Sequence, residues 1–190
     1  GLERAFGWDR WDQAYLEALA KTGNEPIGSL GYDGPLAALN PEKPNLSEFF
    51  KETVAVVTNP AIDREREVEH FSTRTLLGRR PLPDGRGGGR VEELLLPIVL
   101  EEDQALAEAF GTLTLSEVRA RFKTKTLVPQ FTVEEGLLAG LKRLEEEAVK
   151  AVEEGAEVLI LSDREAFQGG VWIDAGLAVA AVNRALMKRD

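Results

Sequence analysis

The polar triplet best placed to do chemistry is Ser162-Asp163-Arg164, because it directly follows the apolar run Val158-Leu159-Ile160-Leu161. In α/β folds ligands bind beyond the carboxyl ends of strands. A hydroxyl, a carboxylate and a guanidinium there could hold a small anion or act on a polar substrate. The simpler role for the same residues is structural: Ser162 and Asp163 cap the following turn, and Arg164 pairs with a nearby acid. His70 is the only histidine, and cysteine is absent. One histidine cannot build a metal site by itself. As a general base it needs an orienting carboxylate, and Glu67 and Glu69 lie near it only as acids commonly do on a helix. A structural or solvent-facing role is the simpler one.

Three other groups carry less. The Gly85 to Gly89 stretch is glycine-rich, yet no Walker-type lysine follows it and no strand-to-helix context frames it. It is therefore expected to be a hairpin or a flexible connection, not a phosphate cradle. Glu101-Glu102-Asp103 and Glu145-Glu146-Glu147 lack the alternating oxygen ligands of a calcium loop and fit solvated faces and first turns of helices. Trp8 and Trp11 fit packing in a core or an interface rather than stacking on a cofactor.

The 190 residues suffice for one ordinary domain with a sizeable core, 1–190. A formal net charge of −10 opposes binding to nucleic acid or to an anionic membrane surface. No apolar run approaches the roughly 20 residues of a spanning helix, and there is no secretory pattern, so a cytoplasmic setting is expected. Without cysteine, disulfides and thiol chemistry are excluded. One methionine and more arginine than lysine fit a heat-tolerant source. The first residue is Gly1, which favours one module of a longer protein.

The elements that must position these residues follow from spacing. Asp9 is placed to cap a first helix with Trp8, Trp11, Tyr15 and Leu19 at helical intervals, ended by Gly23. Pro26, Pro35, Pro41 and Pro44, with Gly28, Gly31 and Gly34, make the next stretch a loop or linker, so that 1–45 precedes an α/β body over 46–190. Leu46, Phe49, Phe50, Val54 and Val57 predict a helix by their spacing, although Thr53 to Thr58 is β-branched. Pro60 and Asp63 break the chain and start a helix over Arg64 to Phe71. Lys125 to Gln130 predicts a strand, and Thr132-Val133-Glu134-Glu135 a capping box opening a helix over Val133 to Glu154. Its apolar face carries Leu137, Leu138, Leu141, Leu144, Ala148 and Val152, and Gly155 closes it. Val158 to Leu161 predicts a strand covered on both faces, with Ile160 fully buried. Asp174 caps a last helix through Leu177, Val179, Val182 and Leu186, ending at Lys188 and Arg189. This β-α-β-α order gives an α/β class with parallel strands and a right-handed crossover.

Three stretches, in order, carry a resemblance that spans nearly the whole chain. They are Gly28-Ser29-Leu30-Gly31-Tyr32-Asp33-Gly34-Pro35, then Val57-Thr58-Asn59-Pro60-Ala61-Ile62-Asp63-Arg64-Glu65-Arg66-Glu67 continuing to Gly78, and Phe122-Lys123-Thr124 through Val133-Glu134-Glu135-Gly136 to Ser162-Asp163-Arg164. In these the chain resembles the central domain of the glutamate synthase large subunit. Asn183-Arg184-Ala185-Leu186 stands where that family usually has a run of histidines, and the Gly78 to Val91 connection is trimmed.

The resemblance implies a non-catalytic module, an incomplete (β/α)-barrel-like domain related to FMN-linked barrels, in an enzyme that makes glutamate from glutamine and 2-oxoglutarate. It implies a glutamine amidotransferase domain with a cysteine nucleophile on one side and an FMN and iron–sulfur synthase domain on the other, with this module walling part of an ammonia tunnel. FMN and the cluster belong to the neighbour, and no cofactor is expected here. The length also falls short of the roughly 250 residues of a full barrel. Asp33, Asn59, Asp63, Arg66, Glu67, Asp163 and Arg164 are the candidates for the interface or tunnel wall. Two alternatives stand beside this one: a free-standing α/β protein binding a small anion at Ser162 to Arg164, and an enzyme using Asp163 and Arg164.

Overall fold

Apolar residues at helical spacing produce α1, Arg10–Thr22, and Gly23 ends it in a left-handed conformation, φ 66°, its N–H donating to the Leu19 carbonyl. Tyr15, Leu16 and Leu19 of its stripe are exposed. The computed structural model describes residues 8, 10–23, 37–39, 46–50, 72–81, 83–165 and 168–189. The chain divides into two units, Gly1–Pro60 and Ala61–Asp190. In the first, α1 is accompanied by short 3-10 turns at Ala37–Leu39 and Leu46–Phe50. The helix expected over Leu46 to Val57 is thus a 3-10 turn in its first part. Its remainder, Asp9, and the helix expected over Arg64 to Phe71 lie outside the described residues.

The second unit opens with an antiparallel hairpin, β1 Thr75–Gly78 and β2 Val91–Leu94, registered Thr75 to Leu94 and Gly78 to Val91. The glycine-rich connection is therefore a hairpin turn. Gly78 is required where the strands close, because at φ 114° a Cβ there would lie 2.2 Å from the Arg90 carbonyl oxygen. Two short helices follow. Asp103 caps α2, Gln104–Phe110, accepting from the Leu106 N–H. Thr114 caps α3, Leu115–Arg121, in a reciprocal box with Glu117. Leu94 of the hairpin packs with Leu113, Val118 and Phe122 into one small core, which Leu77 and Val158 border.

The main core lies C-terminal to this. β3 is Thr124–Leu127, β4 Gln130–Phe131, α4 Leu137–Glu153, β5 Val158–Leu161, β6 Val171–Trp172 and α5 Ala175–Met187. β3 and β5 pair in parallel, Thr124 with Val158 through Leu127 with Leu161, as a helical crossover between them demands. Leu127, Leu144, Ala148, Ile173, Ala178 and Val182 form the buried cluster.

Several expectations are corrected here. The strand expected over Lys125 to Gln130 is two strands, because Pro129 has no N–H to continue a ladder. The Gln130 N–H turns back onto the Val128 carbonyl, and β4 pairs antiparallel with β6. The helix starts at Leu137, not Val133. Thr132 and Glu135 do make their reciprocal bonds, at 3.1 and 3.4 Å, but these close a turn. Gly136, at φ 77°, then separates that turn from the helix. The buried face of α4 is Gly140, Leu144, Ala148 and Ala151, so Leu137, Leu138 and Val152 are exposed. On α5, Val179 is likewise exposed. Ile160 is half-buried, as is all of β5, because its sheet has only two strands among the described residues. Those residues form three separate two-stranded sheets, and no sheet closes, so the class is α/β with one parallel pair and the barrel-like description is not reproduced.

Leu144 is 1% exposed and Leu138 83% exposed. Leu144→Ala should therefore destabilise the chain by about 2–5 kcal/mol, and Leu138→Ala by no more than about 0.5 kcal/mol. Urea unfolding followed by far-UV circular dichroism measures both. Equal costs at the two positions would contradict the face assigned to α4.

Candidate functional site

The carboxyl end of the parallel pair is held by the backbone. The Ser162 N–H donates to the Leu127 carbonyl at 2.9 Å, extending the ladder one residue past β5. Ser162 is half-buried, and Asp163 and Arg164 are exposed. Arg164 forms an ion pair with Glu101 at the surface. Gln168 Nε2 approaches the Arg164 carbonyl oxygen at 3.4 Å. The guanidinium is thus engaged by an acid of the same chain, as the structural role requires. Among the described residues, no group of three or more histidines, cysteines, aspartates or glutamates could hold a metal ion. Asp33, Asn59, Asp63, Arg66, Glu67 and His70 lie outside the described residues, so Asp163 and Arg164 alone among the candidates are placed.

A second polar constellation went unrecognised in the sequence. Arg143, on α4, donates from Nε to Glu135 Oε1 at 2.9 Å, from Nη1 to Glu147 Oε1 at 3.3 Å and from Nη2 to the Gln130 carbonyl at 2.6 Å. One guanidinium therefore ties the turn before α4, its own helix and β4 together. The hydrogen bond from Arg143 holds the Glu135 carboxyl below its ordinary value of 4.5, its charge adding to the effect against partial burial. The Arg143 pKa is raised by the same bond. Glu147 four residues after Arg143 was a readable helix pair, but nothing in the spacing announces Glu135 or the carbonyl. With Lys125, Lys150 and Glu154, Arg143 and Glu147 line a groove of about 350 Å³ beside β3. Its charges are of both signs, and Arg143 is already engaged by Glu135, Glu147 and the Gln130 carbonyl.

A larger groove, about 530 Å³, runs between the ends of α4 and α5 and along β5. Val152, Leu159, Leu161, Val179, Val182 and Leu186 line it, with Val152 and Val179 open to solvent. Its polar groups are Glu157 and Asn183, and the Glu157 carboxylate accepts from the Lys123 N–H at 2.8 Å. Its apolar lining is suited to packing. No helix among the described residues is long and apolar enough to cross a membrane.

Comparison with known proteins identifies the family of this α/β chain. The chain matches the glutamate synthase central domain over residues 2–190. It is 34% identical over 191 residues to the glutamate synthase (NADPH) large chain of Bacillus subtilis, covering 98% of this chain and 12% of that one. With the corresponding large chain of Azospirillum brasilense it shares 32% identity over 192 residues, 99% of this chain and 12% of the relative. Ferredoxin-dependent glutamate synthase 2 of Arabidopsis thaliana is 34% identical over 167 residues, 85% of this chain and 10% of the relative. The chain belongs to the glutamate synthase central domain family. It spans 12% or less of the length of these relatives.

Glu135 gives a pH dependence of known sign. Its folded pKa lies below the ordinary 4.5, so it contributes stability that is present above that value and lost as pH falls through the folded pKa. Glu135→Gln should lower the urea midpoint at about pH 7, and the difference from the parent should shrink at about pH 3. A difference that stays constant across this range contradicts the role given to the Arg143 bond.

Proposed function

We propose that this chain is the non-catalytic central module of a glutamate synthase large subunit. On this reading it joins the glutamine amidotransferase domain to the FMN and iron–sulfur synthase domain, and it helps to wall the ammonia tunnel in glutamate biosynthesis. The observation that carries the proposal is the family match over residues 2–190, in a chain that corresponds to 12% or less of its relatives. The absence of cysteine supports it, since neither the nucleophile nor the cluster ligands can come from here. The apolar groove along β5 also supports it, because exposed apolar surface of this kind fits a module with neighbours. Asn59, Asp63, Arg66 and Glu67 are assigned to the interface or tunnel wall. Arg164, being paired with Glu101, favours this reading over an anion site at the strand end.

Two experiments test the proposal. In the complete enzyme, Arg66→Ala should reduce the coupling of glutamine hydrolysis to glutamate formation more than it reduces either half-reaction. Equal collapse of both half-reactions, with ammonia supplied directly to the synthase, makes the residue merely structural. The 190-residue chain alone should leave FMN fluorescence unchanged through a titration, since the glycine-rich segment is a hairpin turn and not a helix-opening phosphate cradle. Saturable binding in the low micromolar range refutes the assignment of flavin to the neighbouring domain alone.

A further inference from the structure

β5 has the composition of a strand buried within a sheet, Val158-Leu159-Ile160-Leu161, with no polar residue. Its four residues are nevertheless only half-buried, and among the described residues β3 alone pairs with it. The ladder fixes which backbone groups are left over. The Val158 N–H donates to the Lys123 carbonyl at 3.4 Å and the Ser162 N–H to the Leu127 carbonyl at 2.9 Å. Alternate residues of a parallel strand bond to opposite sides. The Ile160 N–H therefore faces β3, and the N–H and C=O groups of Leu159 and Leu161 face the outer edge.

The two long helices show from which direction a further strand arrives. α4 finishes beside the start of β3, where Lys123 Nζ donates to the Glu154 carbonyl. Arg184 pairs with Glu145 and Arg189 with Glu153, so α5 runs in the same direction as α4 and also finishes at the amino ends of the strands. α4 packs against β3 and α5 against β5, around one shared core. Successive helices thus step across the same face of the sheet, and one more step reaches the outer edge of β5. A return to the outer edge of β3 would give the two crossovers opposite hands, whereas about 98% of such crossovers are right-handed.

The two edges also differ in chemistry. Lys125 stands on β3, and lysine commonly blocks an edge strand, while β5 carries no charge. Along β5, Leu159, Leu161, Val179, Val182 and Leu186 line the apolar groove, and Val179 is left 56% exposed. We propose that the outer edge of β5 seats a parallel strand supplied by the polypeptide that continues from α5, with its alternate apolar side chains covering this groove. The proposal rests on the central-module reading, in which further large-subunit sequence follows these residues. Main-chain hydrogen bonds make the attachment, and the groove sets the register. The joint to the next part of the subunit is then a continuous sheet and not a free tether.

Hydrogen exchange resolved to single amides tests this on three proteins. They are the 190-residue chain, the complete large subunit, and the chain extended by its next ~20 residues in that subunit, enough for a short loop and a strand. Ile160 is the internal reference, because its N–H is bonded to β3 in all three. Protection of Leu159 and Leu161 should rise at least about tenfold relative to Ile160 in both longer proteins. An equal rise at all three amides is general stabilisation and overturns the proposal. So does exchange at Leu159 and Leu161 that is unchanged in both longer proteins. Protection in the complete subunit but not in the extended chain assigns the edge to a strand from elsewhere, which overturns the proposal and leaves the central-module reading standing. That reading fails separately, and the proposal with it, if the gene places no amidotransferase and synthase segments around these residues.

Discussion

Close approach of α4 to α5 and to the strands beneath is the contact on which the C-terminal unit depends. Ala148 and Ala178 have no exposed surface, and only small side chains let two helices and a strand share one layer so tightly. Gly140 makes the same demand at the other end of α4, where a Cβ would lie 2.5 Å from the Phe131 Cβ. Leu144 fills the space between these narrow points, and Leu127, Ile173 and Val182 surround it. The helix that the crossover needs and the strand pairing that the crossover permits are therefore secured by one cluster.

Charge pairs frame this cluster without replacing it. Arg184 of α5 reaches Glu145 of α4 at 2.7 Å, and Arg189 reaches Glu153 at 2.6 Å. Both arginines are largely exposed, so each bridge contributes at most about 1 kcal/mol. Arg184 lies in the segment where the resemblance places histidines, and here that segment joins two helices by charge. Arg143 is different in kind, because it also holds a backbone carbonyl and joins three pieces of chain.

Much of the C-terminal unit was legible because period and punctuation agreed there. Asp174 caps α5 through the Gly176 and Leu177 N–H groups, Gly155 ends the α4 turn with φ 92°, and the β3–β5 pairing is parallel. The misplacements share one cause, which is that local chemistry can be satisfied in more than one way. The Thr132–Glu135 box is real, yet it closes a turn, since Gly136 adopts a φ outside the helical range. Val158 to Leu161 is apolar enough for two covered faces, but a run of residues does not state how many strands will flank it. The apolar stripe on α4 was assigned by residue type, and the burial of Gly140 and Ala151 shows that close approach selects small residues as strongly as large ones. Of the candidate site, Arg164 and its acid were legible as a pair in principle. Glu101 as the partner was not, since it lies far away in sequence.

The outer edge of β3 has a consequence for handling the protein. Parallel ladders send alternate residues' backbone groups to opposite sides. Because the Leu127 carbonyl accepts from β5, the groups of Thr126 face away from it. Among the described residues no strand pairs with this edge; such an edge is a template for pairing with an extended chain, and lysine on an edge strand is a common block against it. Lys125 fills that position. Its charge opposes edge-to-edge pairing along this strand when the protein is concentrated.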